Sequence, residues 1–190
     1  MTFEKRPSIC TSSGIEFNPF DLDPEMIVTS DIAHALAHIC RYMGHCPRFY
    51  SVAEHSLNVT RLLEFDYPGN FKLHLMGLLH DASEAYLFDL PRPFKKIMPE
   101  YREIESQVQS VIYKKFVGET TEEELKLVHE ADRDIFRGEL LHLWGRKRPY
   151  WWTEDPPSDY AARIGYTGFP AEEARALFSS KLRFLNESLS

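Results

Sequence analysis

The chain has 190 residues and a formal net charge of −7 at pH 7. That length suits one domain, since domains are typically about 50–250 residues long. The acidic balance argues against a protein that binds a nucleic-acid backbone, which needs a basic surface. Three cysteines without C-x-x-C spacing favour reduced thiols. Because we find neither a signal peptide nor an uncharged apolar run approaching the ~20 residues of a membrane span, we predict a cytoplasmic location.

The N-terminal segment, residues 1–30, is rich in turn-forming residues. Short extended pieces around 15–17 and 26–28 predict a small hairpin within it. From Asp31 onward the apolar residues recur at helical spacing, and we expect a helix with Asp31 as its N-cap and Gly44 as its end. The N-terminal segment is therefore predicted to be irregular or a hairpin.

Three further features precede the middle of the chain. Ser51 with Glu54 three residues later predicts a capping box at the start of a second helix. The apolar stretch over 71–85 predicts a buried central helix. Two prolines then predict a rigid loop over 89–93, because each fixes its own φ and restricts the residue before it.

The C-terminal half continues with helices. We predict one over 99–117 and a longer one from Thr121 to about Trp144. The segment 146–169 is predicted to be an ordered loop, and Pro170 opens a last helix that ends at residue 189. The predicted fold is all-α, with five to seven helices in a single compact domain whose core covers about 31–145.

A His-Asp pair near the end of the central helix is the strongest chemical signal. His80 and Asp81 are followed one turn later by Glu84, and helical His55 and Asp132 lie before and after them. Two imidazoles and two carboxylates suit Co, Mn, Zn, Ni or Fe better than Mg or Ca, which prefer all-oxygen ligands. Chance gives about half of one such dipeptide in a chain of this composition, so the pair alone is a weak match.

Four ordered segments resemble the H…HD…D pattern of HD-domain phosphohydrolases. They are similar to the YfbR-like 5′-deoxynucleotidases and to the phage dATP triphosphohydrolases called DatZ, and the resemblance covers about 31–135. Residues 41–51 look more like the phage branch. The four segments are 52–57, 79–84, 89–91 and 130–132.

The resemblance implies a role for each matching residue. Glu84 would be the acid/base that handles the attacking water, and Asp89 a second carboxylate near the scissile phosphate. Arg41 matches an arginine at the substrate sugar and phosphate, and Tyr42 stands where relatives often have a tryptophan against the base. The metal ligands would be His55, His80, Asp81 and Asp132, and the loop residues that contact base and phosphates would be Pro93 and Lys95.

Other histidines suggest weaker sites. His34 and His38 have the spacing for a second metal, which an oxygen-using di-metal protein of the inositol-oxygenase kind would need, but packed and surface histidines explain them more simply. His45 can hydrogen-bond near the site. Glu139 and His142 have the Glu-x-x-His spacing of di-iron bundles, which need two copies. Packing or oligomer contacts are the simplest roles for Trp144, Trp151 and Trp152.

The resemblance therefore predicts a metal-dependent hydrolase of deoxynucleotides. The leading substrate is dATP, cleaved to deoxyadenosine and triphosphate in a bacterial or phage-infected cytosol. The alternatives are a 5′-deoxynucleotidase acting on dNMPs and a non-catalytic nucleotide sensor on the same fold. The expected partner is a small nucleotide, without nucleic acid or membrane, in a homo-oligomer that relatives suggest is a dimer or hexamer.

Overall fold

The structure, a computed structural model, describes residues 8–147 and 155–189. It is mostly helical with a small two-stranded hairpin near the N-terminus, which confirms the predicted all-α fold. The strands are β1 (Ile9–Cys10) and β2 (Glu16–Phe17). The helices are α1 (Thr29–His38), α2 (Val52–Asp66), α3 (Phe71–Leu79), α4 (Glu84–Leu87), α5 (Arg92–Ile97), α6 (Pro99–Phe116), α7 (Glu122–Glu139) and α8 (Ala171–Leu189).

The hairpin uses different residues from those predicted. Phe17 pairs with Ile9 in antiparallel register, and the turn between the strands contains Gly14 at φ +83°. Met26 instead ends a short 3-10 turn, so the predicted strand over 26–28 is wrong. Phe17 is fully buried and stacks on Tyr86 with ring centroids 4.3 Å apart, which attaches the hairpin to the helical core.

Helix α1 begins two residues before Asp31 and ends at His38, so the predicted cap at Asp31 and end at Gly44 are both wrong. The Asp31 carboxylate accepts hydrogen bonds from the hydroxyls of Ser12 and Ser13 at 2.6 and 2.8 Å, and from the Ser13 amide at 2.8 Å. Its short side chain therefore ties the hairpin loop to the first turn of the helix.

The start of α2 confirms half of the predicted capping box. The Ser51 hydroxyl accepts a hydrogen bond from the Glu54 amide at 3.1 Å. The Glu54 carboxylate, however, accepts from the backbone amides of Thr167, Gly168 and Phe169 at 2.7, 3.0 and 2.8 Å. A fully buried carboxylate thus holds the segment before α8 against α2, because buried charge requires such partners.

The predicted central helix is interrupted. Helix α3 ends at Leu79, tight turns follow, and α4 begins at Glu84. The Gln109 side chain stabilises the break, because its amide donates to the Leu79 carbonyl at 2.7 Å and accepts from the Ser83 amide at 3.0 Å. The predicted rigid loop over 89–93 also differs, since α5 begins inside it. Pro93 is tolerated in α5 because it lies in the first turn of that helix.

Helices α6 and α7 follow the predicted ranges closely. Thr121 and Glu124 form a capping box at the start of α7, and a widened turn over Leu140–Trp144 extends its end. Helix α2 packs against α3, α7 and α8, while α1 packs against α8 and α4. This arrangement brings α2, the end of α3 and α7 side by side. None of the helices in the described ranges is both long and apolar enough to cross a membrane.

Candidate metal centre

Four side chains from α2, α7 and the turn after α3 converge at one point. The His55 Nε2 atom lies 3.2 Å from His80 Nε2, 3.1 Å from Asp132 Oδ1 and 3.6 Å from Asp81 Oδ2. His80 Nε2 lies 3.2 Å from Asp81 Oδ2 and 3.9 Å from Asp132 Oδ1. His55, His80 and Asp81 form a group that can hold a metal ion. Asp132 lies beside this group, because its Oδ1 is close to the Nε2 atoms of both imidazoles.

Both imidazoles present Nε2 to the cluster because a hydrogen-bond acceptor faces each Nδ1. The Nδ1 atom of His55 lies 2.6 Å from Glu139 Oε1, and that of His80 lies 2.8 Å from the Gly77 carbonyl oxygen. In the neutral rings these acceptors favour the proton on Nδ1 and leave the two Nε2 lone pairs facing each other. A position between two such nitrogens and two carboxylates requires positive charge, either a proton on one ring or a metal cation.

The closest separations among these atoms are compatible with a bound metal ion. Metal–ligand bonds of about 2.0–2.2 Å place adjacent ligand atoms roughly 3 Å apart. Three observed separations, of 3.1 and 3.2 Å, match that spacing, and two others, of 3.6 and 3.9 Å, are longer. The mixed nitrogen and oxygen donors also suit such an ion better than Mg²⁺ or Ca²⁺.

The two carboxylates of the cluster are strongly acidic. Burial raises the pKa of Asp132, but hydrogen bonding and charge from His55 outweigh it and lower that pKa to about 2. Burial also raises the pKa of Asp81, yet the neighbouring His80, His55 and Arg41 hold it well below its usual range. Both groups are therefore anionic across the physiological pH range.

Glu139 is a further buried carboxylate beside the cluster. Its pKa falls to about 2, because Arg41 and His55 outweigh the effect of burial. Burial and Arg41 lower the pKa of His55, but Glu139 and Asp132 outweigh them and raise it to about 9. The surrounding carboxylates thus strongly favour positive charge at this ring.

Glu84, the predicted acid/base, is buried at the edge of the cluster. Its Oε1 lies 3.2 Å from the Lys95 Nζ, which also pairs with Glu105. Its Oε2 is buried and has no hydrogen-bond partner in the part of the chain that the structure describes. Burial, Asp81 and Asp89 raise the pKa of Glu84 well above its usual value, against the opposing charge of Lys95.

A cavity of about 800 Å³ opens onto the cluster. That volume is typical of sites for small ligands. Every residue predicted for catalysis or substrate binding lines it, together with two of the four predicted ligands: Arg41, Tyr42, Asp81, Glu84, Asp89, Pro93, Lys95 and Asp132.

Arg41 and Tyr42 are held at the cavity wall by one carboxylate. The guanidinium of Arg41 lies 3.1 Å from Glu139 Oε2 and 3.7 Å from Asp81 Oδ2. The Tyr42 hydroxyl donates a short hydrogen bond to Glu139, and its ring packs edge-on against Trp144 at 4.6 Å. Trp144 is thus a packing residue, as predicted.

Sequence reasoning missed the role of Glu139. It noted only the Glu-x-x-His spacing, but His142 bonds to the Ala162 carbonyl at 2.7 Å while Glu139 contacts His55. The available signal was position, because Glu139 follows Asp132 by seven residues, or two helical turns, and lies on the same face of α7.

Two other cavity residues were also not predicted. Arg92 lies over the Phe136 ring, 5.0 Å from its centroid, and its Nη2 is 3.7 Å from Asp132 Oδ2. Phe136 in turn stacks near Tyr42, with ring centroids 6.4 Å apart. The cavity therefore combines an aromatic wall with cationic groups.

The remaining histidines do not join the cluster. His34 and His38 stack on each other at 4.2 Å, and His38 Nδ1 lies 2.7 Å from the His34 carbonyl oxygen. His45 is exposed. Within the described ranges, the group able to hold a metal contains none of these three. Trp151 and Trp152 lie outside the described residues, as do positions 148–154 of the predicted loop.

The chain is similar to two uncharacterized bacterial proteins. It is 39% identical over 108 residues to YfdR of Escherichia coli, covering 57% of each chain. It is 36% identical over 108 residues to a Rhodobacter capsulatus protein, covering 55% of each. The chain thus matches just over half the length of these curated relatives. No family model matches it.

Proposed function

We propose that the chain is a metal-dependent phosphohydrolase of the HD type that acts on deoxynucleotides. The observation that carries the proposal is the convergence of His55, His80, Asp81 and Asp132, with Glu84 on the wall of the adjoining cavity. The leading reaction is the hydrolysis of dATP to deoxyadenosine and triphosphate.

In the proposed hydrolysis, one set of residues binds the cation and another transfers protons. A divalent cation held by His55, His80, Asp81 and Asp132 would lower the pKa of a water molecule and polarise a phosphoryl oxygen. Glu84 accepts a proton from the attacking water as the water oxygen bonds to the α-phosphorus. It returns a proton to the departing 5′ oxygen, so the bond between that oxygen and the α-phosphorus breaks without an unstable alkoxide. Asp89 is a second carboxylate on the cavity wall, near the expected site of the scissile phosphate. The raised pKa of Glu84 suits such a proton carrier.

The cavity walls suit the two ends of a nucleotide. Tyr42 and Phe136 offer aromatic faces for the base. Arg41 and Lys95 are cations near the cluster, and guanidinium groups can form paired hydrogen bonds with phosphate oxygens. Pro93 holds the backbone of this wall at the first turn of α5.

One observation favours the alternative, a 5′-deoxynucleotidase that removes phosphate from dNMPs. Arg41 is already paired with Glu139 and lies near Asp81, and Lys95 is already paired with Glu84 and Glu105. Because carboxylates already neutralise these two cations, little positive charge is left to balance a triphosphate. A monophosphate carries less negative charge and needs less compensation. A monophosphate is therefore the second candidate substrate.

Product analysis tests the proposal. We would incubate the protein with Co²⁺ or Mn²⁺ and either dATP or dAMP, and separate the products by ion-exchange chromatography. Triphosphate release from dATP supports the leading reaction, and orthophosphate release from dAMP supports the alternative. Inertness toward both nucleotides refutes the phosphohydrolase and leaves the non-catalytic sensor, for which the readout is nucleotide affinity by calorimetry.

A further inference from the structure

The turn that carries Arg41 and Tyr42 has an unusual backbone. Tyr42, Met43 and Gly44 have φ values of +58°, +54° and +77° in succession. A left-handed conformation costs a non-glycine residue roughly 1–3 kcal/mol, so it persists only where surrounding contacts impose it. Met43 is largely exposed and contributes little packing. Backbone hydrogen bonds from Arg41 to the Tyr50 carbonyl and from His45 to the Tyr42 carbonyl fix its ends. The side-chain contacts of Arg41 and Tyr42 attach it to the cavity wall.

Those contacts meet on Glu139. One carboxylate oxygen, Oε2, accepts from both Arg41 and the Tyr42 hydroxyl, and the other, Oε1, lies 2.6 Å from His55 Nδ1. Glu139 itself has no exposed surface. Because the two oxygens belong to one rigid planar group, the position of the His55 ring and that of the strained turn are set together.

We propose that Glu139 is a positioning residue that links cation binding at His55 to the placement of Arg41 and Tyr42. The inference rests on the proposed metal site, but not on hydrolysis. A cation on Nε2 of His55 strengthens the Nδ1–H bond to Glu139 and so orders the carboxylate that holds the turn. By linkage, ordering of the turn raises the cation affinity by the same factor.

The substitution Glu139→Gln tests this link because the amide has the same size but only one acceptor oxygen. If that oxygen faces His55, the NH₂ group faces the donors of Arg41 and Tyr42, and the turn is released. If the amide is reversed, the NH₂ group faces Nδ1 and moves the ring proton to Nε2, where it blocks the ligand lone pair. Either orientation breaks the link.

The first readout is Co²⁺ affinity by titration calorimetry. We expect a fall of about 10–100-fold in Glu139→Gln, the usual cost of losing a partner that orients a metal ligand. The matched control is Glu130→Gln, an exposed glutamate on the same helix, which should bind Co²⁺ as the wild type does. Wild-type affinity in a folded Glu139→Gln protein would overturn the proposal.

The second readout is amide hydrogen exchange over residues 41–46, with and without Co²⁺. We expect the cation to slow exchange there in the wild-type chain and in Glu130→Gln, and to have no such effect in Glu139→Gln. Should Glu139→Gln fail to fold, the wild-type comparison still decides. Unchanged exchange at a saturating Co²⁺ concentration would refute the link. Neither readout involves a nucleotide, so failure of the hydrolase proposal is a separate result.

Discussion

Replacement of Glu84 by glutamine tests the proposed proton transfer separately from cation binding. Glutamine has the same size, and its carbonyl oxygen can still accept from the Lys95 ammonium, which lies 3.2 Å from Glu84 Oε1. The substitution removes the group that can exchange a proton and leaves the four predicted ligands untouched. Because Glu84 is buried and its Oε2 lacks a partner in the described part of the chain, the amide adds little new strain.

The expected loss of turnover follows from the proposed role of the carboxyl group. A positioned general acid or base contributes about 10²–10⁴-fold to the rate. At about 1.36 kcal/mol per tenfold change, this corresponds to roughly 3–5 kcal/mol in the activation barrier. Because the glutamine carbonyl can still accept from Lys95, the weakening of this one hydrogen bond should cost at most about 1–3 kcal/mol of stability. The variant should therefore remain folded and bind Co²⁺ while losing nearly all activity.

The assay combines initial rates on dATP and dAMP with Co²⁺ calorimetry on the same preparations. Glu103→Gln, an exposed glutamate on α6, is the control and should behave as the wild type in both. Full turnover in Glu84→Gln would refute the acid/base role. A loss of Co²⁺ binding instead would show that Glu84 is a metal ligand.

Three further outcomes follow from particular contacts. Glu54→Ala removes three hydrogen bonds to backbone amides and should lower the free energy of unfolding by about 3 kcal/mol, measured in urea. Gly138→Ala places a Cβ 1.9 Å from the Tyr166 hydroxyl oxygen and should lower the melting temperature, whereas Gly165→Ala meets its nearest atom at 3.6 Å and should not. The pKa of His55 is raised to about 9, so a cation that binds Nε2 at pH 7 must displace a proton. Co²⁺ binding should therefore release nearly one proton at pH 7, and the Co²⁺ affinity should increase as the pH rises toward 9.

Each of these outcomes can fail in a distinct way. An unchanged unfolding free energy in Glu54→Ala would mean that the segment 167–169 contributes nothing to stability. Equal melting temperatures for the two glycine variants would contradict the close approach at Tyr166. Proton release is measured by calorimetry in buffers of different ionisation enthalpy, and zero release at pH 7 would show that His55 is neutral before the cation binds.

Helix periodicity predicted most of the fold, because apolar spacing depends on local sequence. The errors lie where a distant side chain decides the local structure. Gln109 stabilises the break after Leu79 through two backbone groups, and a central helix read from its own residues cannot reveal it. Asp31 binds the hairpin loop 18–19 residues away instead of capping its own helix.

In the candidate site too, sequence patterns indicated some residues, while a role that depends on distant contacts was missed. The resemblance to HD-domain phosphohydrolases selected residues that are far apart in the chain, and most of them line one cavity in the structure. Glu139 was missed because its partners, Arg41, Tyr42 and His55, are 84–98 residues away in the chain. The predicted homo-oligomer and the choice between dATP and dNMP depend on contacts with other molecules and remain predictions.

The most direct test of the account is a Co²⁺ titration of the wild-type chain beside Asp132→Ala and His80→Ala. We expect saturable binding of one ion per chain in the wild type and a large loss of affinity in both variants, since each removes one of the converging ligand atoms. Absence of saturable binding in the wild type, or equal binding in all three proteins, would contradict the proposed metal centre.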